Sequence, residues 1–212
     1  MQKRIISIIA VFCLMLFCTL PVLALDASSD SIYQGIDVSE WQGDIDFKKV
    51  AEAGIEAVYI RAGQGFNYED PDFDRNYEEA KKYGLKVGAY HYVTARTTEE
   101  AREQAQFFVS LVSGKELDLK LAMDFESFGN LSNEEINEIA LEFLKEVERL
   151  SGKEAIVYSN TYDATYVFGE EVAEYPLWVA QYGVSTPQDN GKWSSWEGFQ
   201  YSSTRKSRWN RR

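Results

Sequence analysis

The run Leu121-Ala122-Met123-Asp124-Phe125-Glu126 is apolar until it ends in two acids separated by one residue. On a strand, residues i and i+2 share a face. Asp124 and Glu126 are therefore expected to point the same way, at the carboxyl end of a central parallel strand. Barrels and open α/β sheets form their active sites at that end. Ile36-Asp37-Val38 sets a third acid at the end of the first strand. Three acids at strand ends suit hydrolysis of a glycosidic bond. One of them must stay protonated to give a proton to the leaving oxygen, and neighbouring charges raise its pKa. Taken singly, each acid could instead cap a helix or pair with Arg61.

Other chemistries are poorly supplied. His91 is the only histidine, so a multi-histidine zinc site is excluded. A Ser-His-Asp triad would need that same residue, and no Gly-x-Ser-x-Gly elbow is present. Mid-strand among tyrosines, His91 is expected to pack or to line the substrate rather than act as a base. Gly63-Gln64-Gly65 lacks the third glycine and later acid of a dinucleotide fingerprint and reads as a loop. Cys13 and Cys18 both precede residue 24, so the chain beyond it has no disulfide, thiolate nucleophile or cysteine metal site.

Aromatic residues surround the proposed strand ends. Trp41, Tyr59, Tyr90, Tyr92, Tyr158, Trp178 and Tyr182 fall in or just after strands. Aromatic faces stack on sugar rings, and their polar tips bond hydroxyls. The same residues could fill a barrel core, the expected role of Tyr59 and Tyr158. Trp178 and Tyr182 flank a strand end and are better placed to meet a ligand.

Positioning these groups requires a frame, and the sequence supplies a repeating one. Strands are expected over 34–38, 57–61, 86–93, 119–125, 155–159, 177–181 and 198–202. Helices are expected over 46–53 and 72–83, each stopped by a glycine. Thr97-Thr98-Glu99-Glu100 and Ser132-Asn133-Glu134-Glu135 are capping boxes that open two more. The second of these carries Ile136, Ile139, Ala140, Phe143, Leu144 and Val147 on one stripe. Alternating strands and helices imply right-handed βαβ units and a parallel sheet. After Asn160 the rhythm breaks into long loops and one short helix.

The chain has 212 residues, enough for one domain, and 45% are apolar. Lys3-Arg4, an apolar run to Leu20 and Val22-Leu23-Ala24 form a secretory leader expected to be cut after Ala24. The alternative is an uncleaved membrane anchor, since residues 5–25 could just span a bilayer. Cleavage would take the formal charge from −12 to −14, because Lys3 and Arg4 leave with the leader. An acidic surface argues against a nucleic-acid partner.

Tyr33-Gln34-Gly35-Ile36-Asp37-Val38-Ser39-Glu40-Trp41-Gln42-Gly43 resembles the opening motif of glycoside hydrolase family 25, the Chalaropsis-type lysozymes. Ile60 to Gly65, Gly88 to Tyr92, Met123 to Glu126, Tyr158-Ser159, Trp178 to Tyr182 and Phe199 to Ser203 resemble its later segments, in order. The resemblance implies an irregular, flattened TIM-like α/β barrel of parallel strands, with fewer helices than strands. It implies cleavage of the β-1,4 bond between N-acetylmuramic acid and N-acetylglucosamine, with no metal or organic cofactor. Glu126 would be the general acid/base. Asp124 would orient or stabilise the substrate's N-acetyl group in a substrate-assisted, retaining route, and Asp37 would be a further active-site acid. Trp41, Arg61, Tyr90, Tyr92, Tyr158, Trp178, Gln181 and Tyr182 would bind substrate. The partner would be peptidoglycan glycan strands. The protein would be a secreted or wall-associated monomer, with no stable membrane partner once the leader is cut.

The domains expected are a leader over 1–24, a polar lead-in over 25–32, the catalytic domain over 33–203 and an atypical basic tail over 204–212. Two departures from the family pattern stand out. Glu40 occupies a position that is often His, which changes the charge near Asp37. After Thr204 the tail is strongly basic, where the family continues through a Gly-rich stretch to a last strand bearing an Asp. A truncated or frame-shifted end is expected, with the last strand missing and activity impaired. The alternative is a genuine tail that binds anionic wall polymers. Two other functions stay open: a noncatalytic wall-binding protein, and another substrate-assisted glycosidase of the chitinase type.

Overall fold

The computed structural model describes residues 24–203. The strands are β1 (Asp26–Ala27), β2 (Gly35–Val38), β3 (Ala57–Gln64), β4 (Tyr68–Glu69), β5 (Lys86–Tyr92), β6 (Leu121–Asp124), β7 (Ala155–Asn160), β8 (Leu177–Ala180), β9 (Ser195–Trp196) and β10 (Gly198–Gln200). The α-helices are α1 (Phe47–Glu52), α2 (Phe73–Lys82), α3 (Thr98–Val112), α4 (Asn133–Ser151) and α5 (Thr161–Tyr166). The main sheet runs β10-β8-β7-β6-β5-β3-β2, every neighbour parallel, with β4 antiparallel on β3. The sheet curls until the side chains of its two outer strands meet: Gln200 Nε2 on β10 donates to Asp37 Oδ2 on β2 at 3.0 Å. This is a half-barrel of the expected α/β class, with fewer helices than strands among the described residues.

The strand period of two sorts the residues to either side of the sheet. One set, including Val58, Ile60, Val87, Ala89, Leu121, Met123, Val157 and Val179, is buried in the main hydrophobic core, and His91 is buried on the same side. Helix α4 supplies Ile136, Ile139, Ala140, Phe143, Leu144 and Val147 to that core, the stripe its sequence predicts. Each such large side chain contributes about 1.5–3 kcal/mol on burial. Both ends of α4 are closed locally. Ser132 and Glu135 form a reciprocal capping box, and Gly152 ends the helix in the left-handed region at φ 66°.

The other set lines the inside of the curl. Tyr59, Tyr90 and Tyr158 surround Trp178 and pack with Ala122 and Ile156 into a second, smaller cluster. Tyr59 stacks on Trp178 with centroids 4.5 Å apart, and Tyr158 meets it edge-on at 4.9 Å. Glycines make room for these rings. A Cβ at Gly88 would lie 2.5 Å from the Tyr59 ring, and one at Gly198 would lie 2.7 Å from Trp178.

Several expectations change in detail. The strand expected over 119–125 stops at Asp124, so Phe125 and Glu126 lie beyond it. The strand expected to end at 61 runs on to Gln64 through an irregularity between Arg61 and Gly63, because β4 folds back on it. The polar lead-in is more than a spacer. Leu25 is buried in the main core, and β1 pairs with β9 in a separate two-stranded sheet. Among the described residues no strand pairs the outer edges of β2 and β10. The leader and the basic tail, where the expected cut and the expected missing strand fall, lie outside the described residues.

Candidate active site

Asp37, Asp124 and Glu126 come together above the aromatic cluster. Asp37 is the penultimate residue of β2, and Asp124 is the last residue of β6. Register sets Asp124 beside Tyr92 of β5 and Tyr158 of β7. Glu126 reaches the same place from the loop, where it shares a hydrogen bond with Asp124. The two acids expected to share a strand face do come together, though Glu126 stands off the strand, which ends at Asp124.

Burial differs across the three acids and sets their behaviour. Asp124 is 9% exposed, and its Oδ1 has no hydrogen-bond partner among the described residues. Its pKa is pushed well above the usual range, first by desolvation, then by Glu126 and Asp37; Arg61 opposes the shift. Glu126 is exposed to the groove, and its pKa is also raised, first by desolvation. The bond from Asp124 lowers it, and the charge of Asp163 raises it. Both carboxyls of the pair are thus harder to ionise than free acids, Asp124 the more strongly because it is the more deeply buried. Asp37 is raised by desolvation and lowered by the Gln200 amide.

Gln200 was not singled out from the sequence, yet it ties the site together. Its Oε1 accepts from Tyr158 Oη at 3.0 Å and Tyr182 Oη at 2.7 Å, while its Nε2 donates to Asp37. The available signal was a polar residue at the carboxyl end of the last strand. Asp163, near enough for its charge to act on Glu126, was also missed. It lies in the first turn of α5, where Asn160 caps it reciprocally at 2.9 and 2.6 Å.

The predicted binding residues divide. Tyr90 feels the charges of Asp124 and Asp37 and bonds Ser39; Tyr92 feels Asp124 and Glu126 and bonds Ser127. Tyr182 is half exposed at the rim. Trp178 is only 8% exposed and lies beneath the acids as a floor, so it offers packing more than a free ring face. Gln181 turns its side chain to the following loop, where Oε1 accepts from Gln188 N at 2.8 Å. Arg61 is buried and bound to Asp70 at 2.8 Å and Glu40 at 2.7 Å. Glu40 therefore spends its charge on Arg61, and also accepts from Tyr68 Oη at 2.7 Å. Trp41, on a short 3-10 turn after β2, is 79% exposed. His91 faces away from the acids into the helix layer. It packs on Phe108 and Phe143, and its Nε2–H donates to Gly65 O at 2.8 Å. Burial pushes its pKa down to about 4, so it stays neutral and structural.

Residues 36–208 match the model of the glycosyl hydrolases family 25. The autolytic lysozyme of Clostridium acetobutylicum is 37% identical over 171 residues, covering 80% of this chain and 50% of that protein. Lysozyme M1 of Streptomyces globisporus is 32% identical, over 81% of this chain and 62% of that protein. The chain thus spans half to about three-fifths of the length of these relatives. Among solved structures, the bacterial lysozyme from Streptomyces coelicolor superposes with a TM-score of 0.72 at 30% identity, covering 84% of this chain and 87% of that one.

Proposed function

The chain belongs to glycosyl hydrolase family 25, and from that premise we propose that it is a lysozyme that cleaves the β-1,4 bond between N-acetylmuramic acid and N-acetylglucosamine in peptidoglycan. The observation that carries the reading is the hydrogen-bonded pair Asp124–Glu126 beside Asp37 in an aromatic-lined curl. Two carboxylates in direct contact cannot stand on opposite faces of one sugar with water between, as an inverting pair about 6.5–9.5 Å apart would. The arrangement instead suits attack by the substrate's own 2-acetamido oxygen on C1. Glu126 protonates the departing glycosidic oxygen. An oxazolinium intermediate forms, and Asp124 accepts its N–H. Glu126, now ionised, takes a proton from water as that water opens the ring with net retention.

Glu126 must carry a proton before this step. A substrate amide N–H donated to Asp124 favours the ionised Asp124 and drives the proton to Glu126. Substrate binding thus arms the acid. Asp37, held by Gln200, completes the electrostatics above Tyr90. Export through the leader would place the enzyme at the wall as a monomer. Among the described residues no helix is long and apolar enough to cross a membrane.

The edges of β2 and β10, unpaired among the described residues, favour a second reading, a wall-binding protein that turns over weakly or not at all. Clearing of peptidoglycan suspensions, with release of new reducing ends, separates the two. The lysozyme reading expects both from the unmodified chain and a loss of roughly a thousandfold in Glu126→Gln. Wall binding without new reducing ends supports the second reading. Equal cleavage of chitin oligomers, which lack muramic acid, would point to a chitinase-type specificity.

A further inference from the structure

Pairing of β5 with β6 ends where the acids begin. Val93 N donates to Asp124 O at 2.7 Å, and past that bond the chain leaves the sheet as a loop toward α4. Glu126 stands in this loop, beyond the last paired residue, Asp124. A proton donor must nevertheless be held in place, since a misplacement of about 1 Å can lower a rate roughly a hundredfold.

The loop is fixed from two sides. On the inner side Phe125 is buried, and its ring meets Phe128 edge-on at 5.0 Å; Phe128 in turn meets Phe168 at 6.1 Å. On the outer side the tie comes from the connection between β5 and α3. Arg96 Nη1 donates to Ser127 O at 2.7 Å and to Ala95 O at 3.0 Å. Ala95 is fully buried, so the second bond joins the guanidinium to the frame. Arg96 N donates to Glu100 Oε2 in the first turn of α3 at 2.6 Å. Glu126 thus lies between a buried ring and a clamped carbonyl.

Gly129 completes the clamp. It turns the loop at φ 62°, and a Cβ there would lie 3.3 Å from Arg96 Nε and 3.7 Å from its Cζ and Nη2. The loop therefore wraps against the flat guanidinium. A lysine ammonium, a point donor on a flexible stem, does not reproduce that plane. Tyr92 joins from β5: it bonds Ser127 and feels the charges of Asp124, Glu126 and Arg96. The clamp and the acids share one neighbourhood.

We infer that Arg96 is a positioning residue for Glu126, acting through the Ser127 carbonyl to hold the loop that carries the acid. The inference rests on the glycosidase reading and deepens it. Arg96 acts on the carrier of the acid and not on the sugar.

Arg96→Met keeps an unbranched apolar stem and removes the donors. On glycan strands kcat should fall roughly tenfold to a hundredfold with KM nearly unchanged. Arg96→Lys, which restores a donor, should recover part of the loss. Asp118→Ala controls for stability alone. It removes the acceptor of Val87 N at the amino end of β5, the end opposite the acids, and should lower Tm with kcat unchanged. In the Glu126→Gln background Arg96→Met should cost little more, because the two residues act as one unit. An equal loss in both backgrounds overturns the inference. So does a loss of kcat that Asp118→Ala matches at an equal fall in Tm. Amide exchange reads the clamp without catalysis: residues 126–131 should exchange faster in Arg96→Met and at the parent rate in Asp118→Ala. Unchanged exchange in Arg96→Met overturns the clamp. Faster exchange in a chain that releases no reducing ends would leave the clamp standing and remove the enzyme reading.

Discussion

Gln200 Nε2 donates to Asp37 Oδ2 at 3.0 Å, joining by side chains two strands of one sheet whose backbones do not pair. The same amide accepts from Tyr158 and Tyr182. One residue thus orients an acid, a floor tyrosine and a rim tyrosine, and spans the seam where the curl stays open.

Replacing Gln200 should therefore cost more activity than a remote glutamine would. Gln200→Leu removes the donor that favours ionised Asp37 and the acceptor shared by the Tyr158 and Tyr182 hydroxyls. Hydrogen bonds to charged groups are worth about 1.5–3 kcal/mol. The expected loss in kcat/KM is roughly tenfold to a hundredfold, with a smaller loss of stability. Reducing-end assays beside thermal melts read both. A large fall in Tm with kcat/KM unchanged in the surviving fraction would show that the bond holds the seam and does not shape the site.

Asp124 sets a pH-dependent tension between folding and catalysis. Its folded pKa is raised, chiefly by desolvation, above an unfolded value near about 3.9. Such an acid leaves stability intact below the unfolded pKa and lowers it as pH rises through the folded pKa, because the native state ionises less readily. Asp124→Asn removes that penalty while keeping the shape. The variant should be inactive yet melt higher than the parent at neutral pH, with the difference vanishing near pH 3. Calorimetry across pH checks this. A variant less stable at neutral pH would mean that the carboxylate is better solvated than its unpartnered Oδ1 indicates.

Asp163 should tune Glu126, the proposed catalytic acid, from the next helix. Its charge raises the pKa of Glu126, second to desolvation among the causes that raise it. Asp163→Asn removes the charge but leaves the backbone cap from Asn160, whose Oδ1 accepts from residue 163 N. The alkaline limb of kcat, which requires protonated Glu126, should move to lower pH. An unmoved limb with reduced kcat would assign Asp163 to α5 alone.

These residues also show how far the sequence could be read. The core strands were legible because apolar residues recur at the strand period, α4 because a capping box opens it, and α3 because Thr97 caps it. Glu100 there accepts from Arg96 N, which leaves the expected box at α3 half formed. Asp37, Asp124 and Glu126 were legible as acids after apolar runs. Gln200 was not, because its importance lies in reaching Asp37 at a sequence separation of 163. Asp163 was hidden as a helix-start acid, a role that needs no active site. Local pattern reports which face a residue takes; it does not report which distant faces the curl brings together. The same limit explains Trp178, whose strand-end position suggested the groove while the curl made it the floor.

The floor offers a last test, of whether packing beneath the acids sets their geometry. Gly88→Ala would place a Cβ 2.5, 2.7 and 2.9 Å from three atoms of the Tyr59 ring, and that ring is stacked on Trp178. β5 lies inside the sheet between β3 and β6, so it cannot shift away without breaking pairing on both sides. Overpacking of this kind costs about 1–3 kcal/mol. Gly198→Ala meets Trp178 at 2.7 Å, but β10 is an outer strand and can move. Gly88→Ala should therefore lower Tm more than Gly198→Ala, and should lower kcat as the displaced ring tilts Trp178. Combining Gly88→Ala with Tyr59→Leu removes the ring that clashes. The double variant should be more stable than the sum of the two single losses predicts, a coupling expected between residues in direct contact. Strict additivity would show that the Tyr59 ring already has room to move, and that the floor does not hold the acids in place.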